Sequence, residues 1–317
     1  MKNESFAPLL FEPIFMERMW GGRGLASAFG KKLPQGVRVG ESWEIVDRPE
    51  AQSVVRQGRW RGKTLHELWS HYRAEIFGEG MPETPHFPIL AKLLDAQEKL
   101  SLQVHPGTAV ANALGGEPKA EMWYFAVTDD GAEIYAGLRC GVTRDQFEEA
   151  ARCGLAADLV HRIAVKKGDA FFVPSGRLHA IGSGNLLIEI QENSDTTFRL
   201  FDWDRGASGR TARQLQIEKA LQSMAFDDFE PEVIRPTGET LVTCPHFIVE
   251  KWDLNGVRPA SERRAFALFI CLSGRVETNE ALLSPGEFFL MPASAAAGEL
   301  QPHAPETSVL RITVPTR

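Results

Sequence analysis

Several kinds of segment are missing from this sequence, and their absence limits its class. The 317 residues contain no run of about 18 apolar residues, the length that a membrane-spanning helix needs. The start, residues 1–8, has no apolar stretch long enough for a signal peptide. Low-complexity segments and heptad arrays are also missing. We therefore expect a cytoplasmic protein that does not act at a membrane.

Cysteine is scarce and scattered. The chain has 4 cysteines and no CxxC pair among them. This usage is typical of reduced thiols in a cytosolic protein, either in the core or at the surface. The residues concerned are Cys140, Cys153, Cys244 and Cys271.

Basic residues are fewer than acidic residues in this chain. The formal net charge is −7, from 35 basic and 42 acidic residues. This balance argues against nucleic acid as a partner, because binding to phosphate backbones depends on Lys and Arg. An anionic small-molecule substrate would need a local basic pocket.

What the sequence does contain is a pattern of short strands. Hydrophobic residues make up 43% of the chain, which predicts one or two domains with a sizeable core. Runs rich in β-branched and aromatic residues, bounded by turn residues, predict strands at 87–94, 121–127 and 186–191. A mostly β fold follows.

A few helices are expected among the strands. Candidates lie at 65–75, 143–159 and 211–224. The second is the strongest, because Thr143 can cap its first turn and Gln146 follows three residues later, as in a capping box.

Residues 103–105 read Gln-Val-His, and they indicate a metal site. Alternate residues of a strand point to the same face, so Gln103 and His105 are expected to project together. Glu121 follows within a short segment, and His179 ends the run 168–179. Two imidazoles, one carboxylate and one amide oxygen suit zinc, which takes nitrogen and oxygen ligands.

The run around His179 resembles the second motif of the cupin β-barrels. That motif reads Gly, five residues, Pro, one residue, Gly, two residues, His, and Gly168, Pro174, Gly176 and His179 fit it. The chain departs from the common cupin pattern in having Gln103 where the first motif has its first His, and a longer gap before Glu121.

These departures are shared with one branch of the cupins, and the chain resembles the type I mannose-6-phosphate isomerase family. The resemblance extends from about residue 10 to 205, is strong there, and corresponds to the compact bacterial form without a large helical insertion between Glu121 and His179. It rests on Trp20-Gly-Gly22, Gly40-Glu-Ser-Trp-Glu44, Lys99-Leu-Ser-Leu-Gln-Val-His-Pro106, Pro118-Lys-Ala-Glu-Met-Trp-Tyr124 and Gln191-Glu-Asn-Ser-Asp-Thr-Thr-Phe-Arg199.

The resemblance implies two cupin-like β-barrel, or jelly-roll, domains with a few helices. We expect a metal-binding catalytic domain at 1–230 and a degenerate cupin-like domain at 238–317, joined by a Pro- and Gly-bearing linker at 229–238. The second domain repeats the Gly-x5-Pro spacing at 286–292. It has Ser294 and Ala297 at the places of Gly176 and His179, so it is expected to bind no metal.

The implied activity is the conversion of mannose 6-phosphate into fructose 6-phosphate through a cis-enediol. This chemistry needs a base beside C1 and C2, an electrophile for the developing oxyanion, and cations that hold the phosphate. The resemblance assigns one zinc ion per chain to Gln103, His105, Glu121 and His179. It assigns catalysis to Arg199, Lys119 and Asp195, with Asp195 as the first candidate base, and substrate binding to Lys119, Arg199, Ser101, Glu44 and Trp20.

Alternatives remain open at this point. A barrel of this kind could bind metal and sugar without catalysis, or could isomerise or epimerise another sugar phosphate. Arg199 could instead form an ion pair with Asp195 or Asp202, and Lys119 could be a solvated loop residue. We expect a monomer or a weak homo-oligomer whose partner is a small sugar phosphate.

Overall fold

The computed structural model describes residues 7–203, 205, 213–236, 238–260, 265–278, 281–295 and 298–315. Strands dominate this part of the chain and helices are short. The helices are α1 (Gly24–Phe29), α2 (Leu65–His71), α3 (Arg73–Ile76), α4 (Thr108–Ala111), α5 (Arg144–Arg152) and α6 (Ile217–Ser223), with 3-10 turns at Ala156–Leu159 and Ala293–Ala295.

The strands fall into an amino-terminal set and a carboxyl-terminal set. The first set is β1 (Ile14–Gly22), β2 (Val39–Ile45), β3 (Asp47–Arg48), β4 (Ala51–Gln52), β5 (Ile89–Ala96), β6 (Leu102–Val104), β7 (Glu121–Thr128), β8 (Glu133–Leu138), β9 (Val160–Ala164), β10 (Ala170–Val173), β11 (His179–Ile181), β12 (Asn185–Glu192) and β13 (Phe198–Phe201). The second set is β14 (Thr240–Thr243), β15 (Ile248–Asp253), β16 (Arg258–Pro259), β17 (Ala267–Ser273), β18 (Val276–Thr278), β19 (Ala281–Leu283), β20 (Phe288–Met291), β21 (Glu299–Pro302) and β22 (Ser308–Thr313).

The amino-terminal strands form two antiparallel sheets that face each other. One sheet has the order β1-β2-β5-β12-β7-β10 and the other β13-β6-β11-β8-β9. Apolar side chains from both sheets pack together between them, including Phe125 and Phe171 from the first and Ile134 and Ile181 from the second. The space between these sheets is the interior in which polar residues with a function would be enclosed.

The carboxyl-terminal strands repeat the arrangement on a smaller scale. Their sheets have the orders β14-β15-β22-β17-β20 and β16-β21-β18-β19. Trp252 and Phe269 from the first sheet share a core with Leu283 and Leu300 from the second. The prediction of a mostly β, cupin-like fold is therefore confirmed, while the division into domains at 1–230 and 238–317 stays a prediction.

The two halves share one hydrophobic core. It contains Ile188 and Ile190 from the outer face of β12 together with Leu268 and Ile312 from the carboxyl-terminal sheet. Because β12 is thus covered on both sides, Ile188 and Ile190 face the other half, and Leu187 packs in the barrel interior.

The helix predictions hold in two of three cases. Residues 65–75 form α2 and most of α3, and 143–159 form α5 and a 3-10 turn. The Thr143–Gln146 capping box is present. The third helix, α6, is shorter than expected; of the span 211–224, residues 211 and 212 lie outside the described residues. Among the helices described, none is long and apolar enough to cross a membrane.

Candidate metal centre and substrate site

The metal-ligand candidates come from facing sheets. Gln103 on β6 is the register partner of His179 on β11, so these side chains lie side by side. His105 follows β6 directly, and Glu121 opens β7 in the opposite sheet. The fold therefore brings together four residues that are up to 76 positions apart in the sequence.

The Gly-x5-Pro-x-Gly turn delivers His179 to this place. Gly168 and Gly176 both have φ of 90°, a left-handed conformation that glycine adopts without strain. The Gly176 N–H donates to the carbonyl oxygen of His105 at 2.9 Å. The turn is thus tied to the segment that carries the first imidazole.

Three of the candidates form a compact buried cluster. His105 Nε2 lies 3.3 Å from Glu121 Oε2, and His179 Nε2 lies 3.5 Å from Glu121 Oε1. The ligand atoms of the three residues all lie within 4.8 Å of one another. The residues are 1%, 1% and 0% exposed, so solvent cannot satisfy their inward-facing atoms.

Both imidazoles are held in the orientation that a metal ligand needs. His105 Nδ1 donates to the Thr196 carbonyl oxygen at 2.8 Å, and His179 Nδ1 donates to that of Arg177 at 2.9 Å. The Nε2 lone pairs therefore face inward. His105 Nε2 and Glu121 Oε1 are buried without a hydrogen bond, and Glu121 Oε2 contacts the Lys119 ammonium at 2.7 Å. Buried atoms of this kind are costly unless a cation binds them, so the residues fit a divalent metal ion.

Gln103 completes the cluster. Its Nε2 lies 3.2 Å from His179 Nε2, and its Oε1 accepts from the Ser101 hydroxyl at 3.2 Å. Rotating the amide by 180° exchanges these two atoms, directs Oε1 toward the imidazoles and leaves Nε2 to donate to Ser101. The amide oxygen is thus placed to act as a neutral fourth ligand.

The electrostatics of the cluster keep its ligands in their metal-binding forms. Burial lowers the pKa of His179 to about 3, with a further contribution from His105, so the imidazole is neutral. Burial and the Lys119 ammonium likewise lower the pKa of His105. Burial alone would raise the pKa of Glu121, but Lys119 and His105 outweigh it and hold that pKa well below its ordinary value.

Lys119 and Arg199 lie at different depths beside this cluster. Lys119 is 4% exposed, and its Nζ lies 2.7 Å from Glu121 Oε2. Its pKa is raised, because the charges of Glu121 and Glu189 outweigh the effect of burial. Arg199 is half-buried, and its Nε donates to Ser101 Oγ at 3.1 Å. Two cations of different accessibility thus accompany the candidate metal ligands.

Arg199 is not paired with the aspartates that the alternative interpretation named. Asp202 instead accepts from Arg205 at 2.5 Å and from Arg213. Asp195 is exposed, and its charge contributes to the raised pKa of Lys119. In the described residues, therefore, the guanidinium of Arg199 contacts a hydroxyl and the Gln214 carbonyl oxygen.

The remaining predicted site residues lie at different distances from the cluster. Ser101 is buried and links Arg199 to Gln103 through its hydroxyl. Trp20 is buried in the barrel core that also contains Trp123, which lies 5.5 Å from the His179 ring. Glu44 lies apart from the cluster, since its carboxylate pairs with Lys31 at 2.6 Å on the other face of β2 from Glu41. Its role in substrate binding stays a prediction.

Three buried charged residues in the barrel interior were not predicted from the sequence as site residues. Lys92 Nζ lies 3.2 Å from Glu189 and 3.9 Å from Glu41, and all three residues are at most 8% exposed. Lys92 and Glu189 are register partners on β5 and β12. The sequence does carry a signal for two of them, because Lys92 and Glu189 are single charges within apolar runs that it predicts as strands.

Burial and the nearby charge of Glu121 raise the pKa of Glu189. A buried carboxyl group with a raised pKa, close to other charged groups, is a common feature of acid–base sites. Glu189 therefore joins Asp195 as a carboxyl group that could transfer a proton.

The fold and the buried cluster first define a class: a cupin with a candidate metal centre. A model of the family described as phosphomannose isomerase type I, catalytic domain, matches residues 9–124. The mannose-6-phosphate isomerase ManA of Bacillus subtilis (strain 168) is 36% identical over 310 residues, covering 94% of this chain and 96% of that protein. The chain belongs to the type I phosphomannose isomerase family.

Two further proteins show how widely this similarity extends. The mannose-6-phosphate isomerase of Streptococcus mutans serotype c is 35% identical over 297 residues, which cover 89% of this chain and 92% of that protein. The crystal structure of the mannose 6-phosphate isomerase from Bacillus subtilis has a TM-score of 0.84 and 32% identity, and covers 97% of this chain and 100% of that chain. The family predicted from the sequence is confirmed.

Proposed function

We propose that the protein interconverts mannose 6-phosphate and fructose 6-phosphate. One observation carries this proposal: the buried cluster of His105, Glu121 and His179, with Lys119 beside it, in a chain of the isomerase family. The alternative of a barrel that only binds sugar does not account for a lysine buried 2.7 Å from a metal-ligand candidate.

The catalytic centre would hold one divalent ion through Gln103, His105, Glu121 and His179. A zinc-bound mannose 6-phosphate isomerase has the same fold, with a TM-score of 0.77 at 15% identity, which makes zinc the first ion to test. When bound, such an ion would orient or polarise sugar oxygens. The buried His105 Nε2 and Glu121 Oε1 atoms, which have no hydrogen bond, support the binding of a cation here.

Lys119 and Arg199 would contact different parts of the substrate. Lys119 is buried beside Glu121, which suits contact with an oxygen that becomes negative during enolisation. Arg199 is more accessible, and its planar donor set suits a phosphate group. Holding the phosphate at Arg199 would place the sugar carbons toward the buried carboxylates.

Proton transfer between C2 and C1 requires a base, and Asp195 is our first proposal for it. Asp195 lies in the loop that follows β12, within electrostatic range of Lys119. Glu189, which is buried within β12 and faces the barrel interior, is the competing carboxylate. Both carry the oxygen acceptor that this step needs.

The proposal is tested by a coupled assay for fructose 6-phosphate, with and without a chelator. We expect activity on mannose 6-phosphate that is lost on chelation and restored by zinc. His179→Ala should lose stoichiometric metal at the catalytic centre and activity together. Full activity in a metal-free preparation, or no isomerisation in the metal-loaded one, would contradict the proposal.

A further inference from the structure

A second group of metal-ligand residues lies outside the site described above. Asp47 on β3 is completely buried, and His66 from α2 and His86 from the segment before β5 reach its carboxylate from two directions. The ligand atoms of the three residues all lie within 4.8 Å of one another. We propose that Asp47, His66 and His86 bind a divalent transition-metal ion such as zinc, with a coordination position open to the solvent.

The spacing of the donor atoms matches such an ion. Nδ1 of His66 lies 3.1 Å from Asp47 Oδ1, and Nδ1 of His86 lies 3.2 Å from the same oxygen. Ligand bonds of about 2.0–2.1 Å in tetrahedral geometry separate neighbouring ligand atoms by about 3.3 Å. Only small movements would therefore be needed to place an ion between the three residues.

Asp47 Oδ1 is crowded with donors. It receives the two imidazole nitrogens and also the Gln52 amide at 2.8 Å. The imidazole contacts are longer than the usual 2.9–3.0 Å of a hydrogen bond between nitrogen and oxygen. A cation bound by Oδ1 and by two deprotonated Nδ1 atoms would replace two of these three contacts with stronger ones.

The carboxylate is fixed and charged before any ion binds. Its Oδ2 accepts from the Phe87 backbone N–H at 2.8 Å. Burial would raise the pKa of Asp47, but the hydrogen bonds from Gln52 and Phe87, and then from the histidines, outweigh it and lower that pKa. Two neutral imidazoles and one carboxylate are a common ligand set for zinc and for non-haem iron.

The open position distinguishes this group from the catalytic cluster. The side chains of His66 and His86 are 41% and 38% exposed, whereas the catalytic imidazoles are buried. Asp47 and His86 also line an open cleft of about 780 Å³ together with Arg48, Asn193 and His246. Water or a ligand in the cleft could therefore reach the ion.

Cobalt titration of the metal-free protein tests this proposal. Ligation by histidine and carboxylate gives Co²⁺ visible absorption bands, and elemental analysis counts the bound ions. We expect two equivalents in the unmodified protein and one in His179→Ala, which retains the second site. We also expect one in the double variant His66→Gln/His86→Gln, whose amides still donate to Asp47 but lack the imidazole ligands.

The control is His71→Gln, an exposed histidine of the same helix that should leave both equivalents in place. Saturation of the unmodified protein at one equivalent would overturn the proposal. So would two equivalents in the double variant. If circular dichroism shows that the double variant is unfolded, His179→Ala decides the question, because a variant without any bound ion would contradict the second site.

Discussion

Arg199 shows how one side chain can connect substrate recognition to the metal centre. Its Nε donates to Ser101 Oγ, and the same hydroxyl contacts the Gln103 amide. The protein is acidic overall, with a net charge of −7, so attraction of a phosphate must come from a few placed cations. Arg199 is the accessible one of the two cations beside the cluster.

We expect Arg199→Ala to lower kcat/KM for mannose 6-phosphate by at least about tenfold, because a charge-assisted hydrogen bond contributes about 1.5–3 kcal/mol. Steady-state kinetics and elemental analysis measure this, and metal content should stay normal. Free mannose should be affected less, since it has no phosphate. If kcat/KM fell equally for both sugars, Arg199 would act on the enediolate and not on the phosphate. If it fell for neither sugar, the role of Arg199 would be structural.

Kinetics of substituted variants can also show which of the two candidate bases, Asp195 or Glu189, transfers the proton. Asp195→Asn should lower kcat by about 10²–10⁴-fold, the range typical of general acid–base catalysis, with little change in KM or bound metal. Glu189→Gln is the matched substitution for the buried carboxylate. A larger loss of kcat in Glu189→Gln, with Asp195→Asn near normal, would assign the proton transfer to Glu189.

At the scale of elements, the six-stranded sheet carries a row of buried charges on its inner face. Glu41 on β2 accepts from Arg18 at 2.7 Å and from the Trp43 indole at 2.6 Å, and it lies near Lys92 on β5. Burial would raise its pKa, but Lys92, Arg18 and these hydrogen bonds lower it below the ordinary 4.5. The charged carboxylate therefore joins neighbouring strands.

This arrangement predicts a pH-dependent stability. A carboxylate with a lowered pKa stabilises the fold above its ordinary pKa, and that contribution is lost as the pH falls through the lower folded value. Glu41→Gln should cost about 1.5–3 kcal/mol at pH 7, as for a hydrogen bond to a charged group. The difference from the unmodified protein should shrink as the pH falls below about 4.5.

Urea unfolding at several pH values measures this difference. Glu299→Gln removes an exposed carboxylate and serves as the control, with no change in the pH dependence expected. A difference for Glu41→Gln that is the same at pH 7 and pH 3.5 would show that its charge is not what stabilises the sheet.

At the scale of the whole molecule, the two halves are joined by one core. Phe266, which precedes β17, packs edge-to-face against Phe77 and Phe87 at 5.3 and 5.5 Å. Apolar residues of both halves, including Ile190 and Ile312, belong to the same cluster. Separating the halves would expose the outer face of the six-stranded sheet.

We therefore expect the chain to unfold in a single transition. Phe266→Ala should lower its stability by about 3–5 kcal/mol, the usual cost of truncating a buried Phe. Circular dichroism and tryptophan fluorescence should report the same shifted midpoint, and Val257→Ala, at an exposed residue, should cause no comparable shift. Two transitions with only one displaced would show independent domains.

The sequence by itself determined the mostly β class, three of the strands, two of the helices, the family and the four metal-ligand candidates. These features depend on short-range signals: alternation predicts Gln103 and His105 on one face, glycine permits the turn before His179, and Thr143 caps α5. Each signal lies within a few residues, so no knowledge of distant contacts was required.

Only the tertiary structure decided which distant residues share a space. Lys92, Glu189 and Glu121 share one face because β5, β12 and β7 are neighbours in one sheet. Asp47 meets His66 and His86 across three elements. Strand order is set by the burial of whole faces, and the local sequence does not encode it. For the same reason, only the structure places the Glu44 carboxylate beside Lys31, on the face of β2 opposite to Glu41.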